Sequence, residues 1–339
     1  MIGLRPRDWA CRHIEDDAKL EKAIKLDIGG LCTQITSSHH EIIAHCVDRY
    51  RDFLADKPPD LELVLAFEEG VDLAEFLGAP CETFQEFTQR DLAKKPANDA
   101  WARPAPPLPG PPKTSSSTIE ERLESRPHIS HLGSRTLFQR RDFAGWIDVE
   151  ARRGRNVLKK NMESFAVESF LRICYSFLAV EHNGLLLHSA GVIRNGNGYI
   201  FPGISGTGKS TIASLATERE VVLSDEMVVV RKAGEGHLVY STPFYGTNES
   251  ADSNNNAPLN AAFLPVKDDK TYIKETKPSQ ALSKLLASVL FFGQKPSLNQ
   301  RLMDISAEIV AQIPFYELHF QRDTSFWECI DERVEDSIT

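Results

Sequence analysis

The pattern most suggestive of chemistry in this 339-residue chain is Gly203-Ile-Ser-Gly-Thr-Gly-Lys-Ser210. It fits G-x-x-x-x-G-K-[ST], a spacing at which successive backbone N–H groups turn inward towards phosphate oxygens. Gly203, Ser205, Gly206, Thr207, Gly208, Lys209, Ser210 and Thr211 are therefore the candidate contacts for ATP. Lys209 would bridge the β- and γ-phosphates, and the Ser210 hydroxyl would sit on Mg²⁺. The N-terminus of a following helix would add its positive dipole end. Downstream, Val221-Val-Leu-Ser-Asp225-Glu226 reads as a strand ending in two adjacent carboxylates. One would face the metal, and the other would be left for the acceptor. Phosphoryl transfer is mostly positioning and charge stabilisation. A phosphate cradle, a metal and a group that orients or deprotonates the acceptor are the parts it needs.

These residues must be held by particular elements. Gly198-Tyr-Ile-Phe-Pro before the loop is short and apolar enough for a strand. After Lys209, residues Ile212, Leu215 and Ala216 fall at helical spacing. Strand, glycine loop and helix is the setting the motif requires. Further short strands are predicted over 185–193, 220–223, 227–231 and 237–241, with a late strand from Pro314 to Phe320. Met162–Val180 is a strongly apolar helix, and Ser279–Phe291 an amphipathic one.

The segment from Leu187 to Val230 resembles the core of the HPr kinase/phosphorylase family. There a histidine-bearing strand, a G-x-S-G-x-G-K-S loop and an Asp-Asp pair follow one another. It is also similar to ATP-dependent phosphoenolpyruvate carboxykinases, with His188-Ser189-Ala190, Gly203–Ser210 and Asp225-Glu226 in the matching positions. Thr242-Pro-Phe-Tyr-Gly and the closing Ile313-Pro-Phe-Tyr-Glu-Leu are similar to HPr-kinase-like proteins encoded beside peptide-modification genes.

The resemblance implies a fold and a set of roles. The fold is α/β, a P-loop kinase core with a mixed, strongly twisted sheet and flanking helices. Asp225 would be the base that takes the acceptor hydroxyl proton. Glu226, standing where the kinases have a second Asp, would contact Mg²⁺ directly or through water. His188 would lie near the γ-phosphate or metal and orient the acceptor; the other reading of His188 is a buried, hydrogen-bonded strand residue. The implied activity is an ATP-dependent kinase acting on a hydroxyl of a peptide, a small protein or a metabolite. HPr kinases, which the chain resembles, assemble as hexamers; a homo-oligomer is one reading here, and the oligomeric state stays open.

There are departures from both families. The chain is short for a carboxykinase and lacks recognisable arginine and lysine ligands for decarboxylation. An Asn-rich stretch, Asn248–Asn256, stands in the general region of the HPr-binding signature. The alternative function is an ATP-binding sensor or accessory module that transfers no phosphate.

Composition narrows the classes. At 41% hydrophobic and 26% charged residues the chain can build a sizeable core. A net charge of −9 argues against nucleic acid as a partner. The densest basic piece, Arg152-Arg153-Gly-Arg155 with Lys159-Lys160, reads as a solvated or phosphate-facing surface, and Arg140-Arg141 is a smaller one. No apolar run approaches a membrane span, and the N-terminus lacks a signal peptide's apolar core. Six scattered cysteines without a C-x-x-C pair read as reduced, mostly buried thiols. A soluble, cytoplasmic protein is expected.

Upstream, residues 1–95 read as an N-terminal α/β unit for substrate or partner recognition. Leu26–Thr36 is predicted as a strand pair or a bent strand, and Leu61–Phe67 as a strand. Ser38 and Glu41 suggest a capping box before a helix bearing Ile43, Val47, Tyr50 and Leu54 on one face, with Ile42, Cys46 and Phe53 beside it. His39, His40 and His45 lack a recognised metal-ligand spacing. The proline- and serine-rich residues 96–118 read as a connector, and 119–339 as the ATP-binding unit, with strands around a turn at 135–150.

Overall fold

The computed structural model describes residues 22–69, 71–78, 127–161, 163–204, 206–216, 219–244, 253–293 and 295–336. The 96–118 connector, residues 1–20, Cys11, Cys81 and Ser205 lie outside them. The protein is a mixed α/β structure built on two mixed sheets.

The first sheet runs β1-β2-β3-β7-β6-β5-β4. β1 (Lys22–Ile28) and β2 (Leu31–Ser37) are antiparallel across Gly29-Gly30, which confirms the expected strand pair. β3 (Leu61–Phe67) lies parallel to β2 and to β7 (Arg153–Leu158). β4 (His128–Leu132), β5 (Arg135–Gln139) and β6 (Phe143–Asp148) complete it as an antiparallel meander. Residues 128–158, grouped on sequence grounds with the ATP-binding unit, thus belong to the N-terminal sheet. Helix α1 (His40–Arg49) follows β2. Its N-cap is His39, without a side-chain cap, so Ser38 and Glu41 do not form the expected box. The buried face also differs. Ile42, Ile43, Cys46, Tyr50 and Phe53 are inside, while Val47 and Leu54 are exposed. The short helix α2 (Leu73–Leu77) is capped by Asp72, whose Oδ1 accepts from the Ala74 and Glu75 N–H groups.

Helix α3 (Glu163–Glu181) joins the two halves. Ala166, Val167, Phe170, Leu171, Ile173, Cys174, Tyr175, Phe177, Leu178, Ala179 and Val180 are all buried. A helix apolar on most sides must be covered on most sides. One core cluster duly joins Leu26 and Ile28 of the first sheet, α3, and Leu186, Met227 and Val229 of the second.

The spine of the second sheet is β8 (Gly184–Arg194). Its first half pairs with β11 (Met227–Ala233), and its second half with β9 (Asn197–Pro202) and β10 (Glu220–Ser224), all antiparallel. β12 (Gly236–Tyr240) leads from β11 to β13 (Asn256–Lys267). β13 is parallel to β9 and to β15 (Phe315–Phe320), and β14 (Tyr272–Glu275) closes the edge.

One face of this sheet is packed by α5 (Pro278–Ser288) and α6 (Pro296–Gln312), through Leu285, Ile305 and Ile309 against Leu185, Leu187 and Val230. The other is packed by α4 (Lys209–Ser214) and α7 (Phe326–Asp336), through Ile212, Phe326, Trp327 and Ile330 against Val192, Phe201 and Phe263. Arg194 secures β8 to α7 through Asp331 at 2.9 and 2.6 Å and also bonds Glu220. Among the described residues no helix is long and apolar enough to cross a membrane. Cys32, Cys46 and Cys174 are buried thiols, and Cys329 is half-buried.

Candidate functional site

Side chains on a strand alternate between faces, and along β8 this alternation defines the site. Leu186 faces the cluster under α3, while Ala190 and Val192 face the cluster under α4. His188 falls between them on the same face, where one covering helix gives way to the other. Two backbone bonds then gather the other parts around it. The Gly203 N–H donates to the His188 carbonyl at 3.3 Å, and the Ser189 N–H donates to the Glu226 carbonyl at 2.9 Å. Neighbouring residues of one strand thus hold the mouth of the glycine loop and the acidic turn.

The loop leaves β9 at Pro202 and enters α4 at Lys209. Gly206 and Gly208 have φ of 86° and 112°, in the region that favours glycine. A Cβ on Gly208 would come within 2.7 Å of Phe320 Cζ. Thr207 Oγ1 donates to the Ile204 carbonyl at 2.9 Å. Lys209 is 5% exposed and curls back over the loop, donating to the Gly203 and Ile204 carbonyls at 2.8 and 3.0 Å. Ser210 is exposed and Thr211 half-buried. α4 is shorter than expected, with Leu215 as its C-cap.

The acidic turn has its own supports. The β8–β10 register shifts between Val222 and Ser224, a bulge of the kind that re-aims side chains. Ser224 Oγ then accepts from the Glu226 and Met227 N–H groups at 3.1 and 3.0 Å, folding the turn that carries Asp225. Asp225 is 2% exposed. Glu226, the residue expected to contact the metal, accepts at Oε1 from Nη1 of Arg172 of α3 at 3.2 Å. Arg172 also donates from Nη2 to Glu168 at 2.6 Å, and Arg49 of α1 donates to the same Glu168 at 3.3 Å. A chain of charges therefore runs from the first sheet's helix to the acidic turn. Neither Arg172 nor Ser224 carries a chemical role that the sequence pattern alone assigns. A lone arginine with a glutamate four residues before it, inside an apolar helix, was the available signal for Arg172.

These groups act on one another's ionisation. Burial pushes the His188 imidazole down to about 3, helped by the Lys209 and Arg172 charges, so the ring is neutral at ordinary pH. Burial lowers Lys209 to about 8, although the Glu226 and Asp225 carboxylates pull it back up. Burial raises Glu226, opposed by Arg172.

More than half of the chain, residues 155–335, matches a described protein family, the SynChlorMet cassette protein ScmC. The chain belongs to that family. The match runs from β7 to α7 and so contains His188, the loop, the acidic turn and Arg172. Among curated proteins, none matches the chain.

The donor types present also bear on a metal. Among the described residues there is no group of three or more His, Cys, Asp and Glu side chains suited to hold an ion. The Ser210 hydroxyl and the Asp225 carboxylate nevertheless suit Mg²⁺, which usually keeps waters and is held by one or two carboxylates and by substrate phosphates. Arg140 and Arg141, read from sequence as surface, are buried, and Arg140 makes a bidentate pair with Asp142 at 2.5 Å.

Proposed function

We propose that this ScmC-family chain is an ATP-dependent phosphotransferase of the HPr-kinase type, moving the γ-phosphate to a hydroxyl acceptor. The observation that supports the reading is the joining of loop and acidic turn across His188 and Ser189, which brings the glycine loop close to the turn that carries the buried Asp225. Asp225 takes the proton of the acceptor hydroxyl. The freed oxygen bonds to the γ-phosphorus while the bond to the β,γ-bridging oxygen breaks, and ADP leaves with those electrons. Lys209 exchanges its bonds to the loop carbonyls for phosphate oxygens. Neutral His188 can accept or donate a hydrogen bond to the acceptor without adding charge. Ser210 and Asp225 would hold Mg²⁺ together with the phosphates, and the ion would supply charge neutralisation on the phosphate oxygens. The acceptor is a serine of a peptide or small protein, or a metabolite hydroxyl.

Glu226, tied to Arg172, favours a second reading. With Glu226 engaged by Arg172, the loop would hold ATP as a sensor without transferring phosphate. The test is transfer of labelled γ-phosphate from ATP to a hydroxyl acceptor. Asp225→Asn should abolish transfer and keep nucleotide binding. Equal transfer by the variant would remove Asp225 from the role of base. Binding without any turnover by the unaltered chain would favour the sensor.

A further inference from the structure

We propose that Lys267 is a second phosphate-binding cation, delivered to the loop by the carboxyl end of β13. The inference rests on the nucleotide-binding reading above and adds a residue to it. β9, β13 and β15 are mutually parallel, so their carboxyl ends reach the same edge of the sheet. There β9 runs into the glycine loop, and Lys267 pairs in register with Phe320. Both side chains meet the loop at Gly208. From the position of a Cβ on that glycine, Phe320 Cζ is 2.7 Å away and Lys267 Cε 3.7 Å.

The two loop-side lysines are in different states. Lys209 is buried and held by loop carbonyls. Lys267 is exposed, and no described residue hydrogen-bonds or ion-pairs with its ammonium. Its acidic neighbour has other partners. Asp268 Oδ2 meets His319 Nδ1 at 2.8 Å, and Oδ1 accepts from the Asp269 N–H at 2.7 Å. A lysine stem laid against a glycine loop, with no partner for its ammonium among the described residues, presents a point charge of the kind that binds phosphate. The ligand class is a polyphosphate chain, as in a nucleoside triphosphate.

The experiment titrates the full chain with Mg-ATP and, separately, with inorganic tripolyphosphate, comparing the unaltered protein with Lys267→Gln and Lys267→Arg. Loss of one nearby, partly screened charge should weaken both ligands by about tenfold. Lys267→Arg should restore both, and the melting temperature without ligand should not move. Binding of both ligands by Lys267→Gln within about twofold of the unaltered chain would overturn the inference while leaving the nucleotide reading intact. Weakening of ATP but not tripolyphosphate would also overturn it, since the lysine would then act elsewhere than on phosphate. If the unaltered chain binds neither ligand, the nucleotide reading itself fails.

Discussion

His188 is held neutral by burial and by two nearby cations, and this has a measurable cost in acid. Its folded pKa lies at about 3, below the ordinary 6.5. As pH falls from 6.5 towards 3 the unfolded chain binds a proton there and the folded chain does not. Stability is therefore lost across that window. Between pH 6.5 and 5 the loss from this one group is about 2 kcal/mol. Urea unfolding at pH 7.5 and 5.0 should show His188→Asn losing less stability than the unaltered chain by about that amount; parallel losses would place the ring in a more solvated setting. The loop glycines give a second residue-level contrast. At both Gly206 and Gly208 an alanine would be strained by positive φ, but only at Gly208 does its Cβ also meet an aromatic ring. Gly208→Ala should cost roughly 1–3 kcal/mol and abolish ATP binding, whereas Gly206→Ala should show the smaller loss. Thermal melts and titrations of the two variants check the order. The loop and the acidic pair were legible because their residue types and spacing are local. Ser224 was not, because a serine before two acids acquires its role only when the turn folds its hydroxyl under two N–H groups.

At the scale of elements, α3 is both a packing body and the carrier of Arg172. Replacing that arginine by methionine would leave Glu168 and Glu226 without their shared cation. Side chains about one-fifth exposed fall between surface and buried pairs, so Arg172→Met should cost about 2 kcal/mol. Because Glu226 then loses its anchor, transfer should fall by more than the stability loss explains. Denaturant unfolding and turnover on the same preparation separate the two effects. The helix itself was readable from its apolar density. Its face towards the turn was not, since that depends on where a distant strand ends. α1 teaches the same lesson. Its existence was readable, but its buried face takes Ile42, Ile43, Cys46, Tyr50 and Phe53 from both rows and leaves Val47 and Leu54 outside. Two neighbouring helical faces were nearly equally apolar, and docking against the sheet chose from each.

Across the whole molecule, the two sheets meet around α3 and at the Gly29-Gly30 turn. Arg231 Nη1 donates to the Gly29 carbonyl at 2.9 Å, and Asn254 Nδ2 to the Asp27 carbonyl at 2.8 Å. Arg49 adds its bond to Glu168. The N-terminal sheet is thus tied to the same chain of charges that ends at Glu226. None of this arrangement was visible in the sequence, where β4–β7 follow a proline-rich stretch and read as the start of the second unit. Their partner β3 lies far upstream, and parallel pairing over such a distance leaves no local pattern. Lys267 was hidden for the same reason, as its place beside the loop comes from β13 lying next to β9. The account stands most directly on one comparison: ATP affinity and γ-phosphate turnover measured together on the unaltered chain and on Asp225→Asn. It expects affinities within about twofold and turnover lower by about a hundredfold or more in the variant. Equal turnover, or an unaltered chain that does not bind ATP, would contradict it.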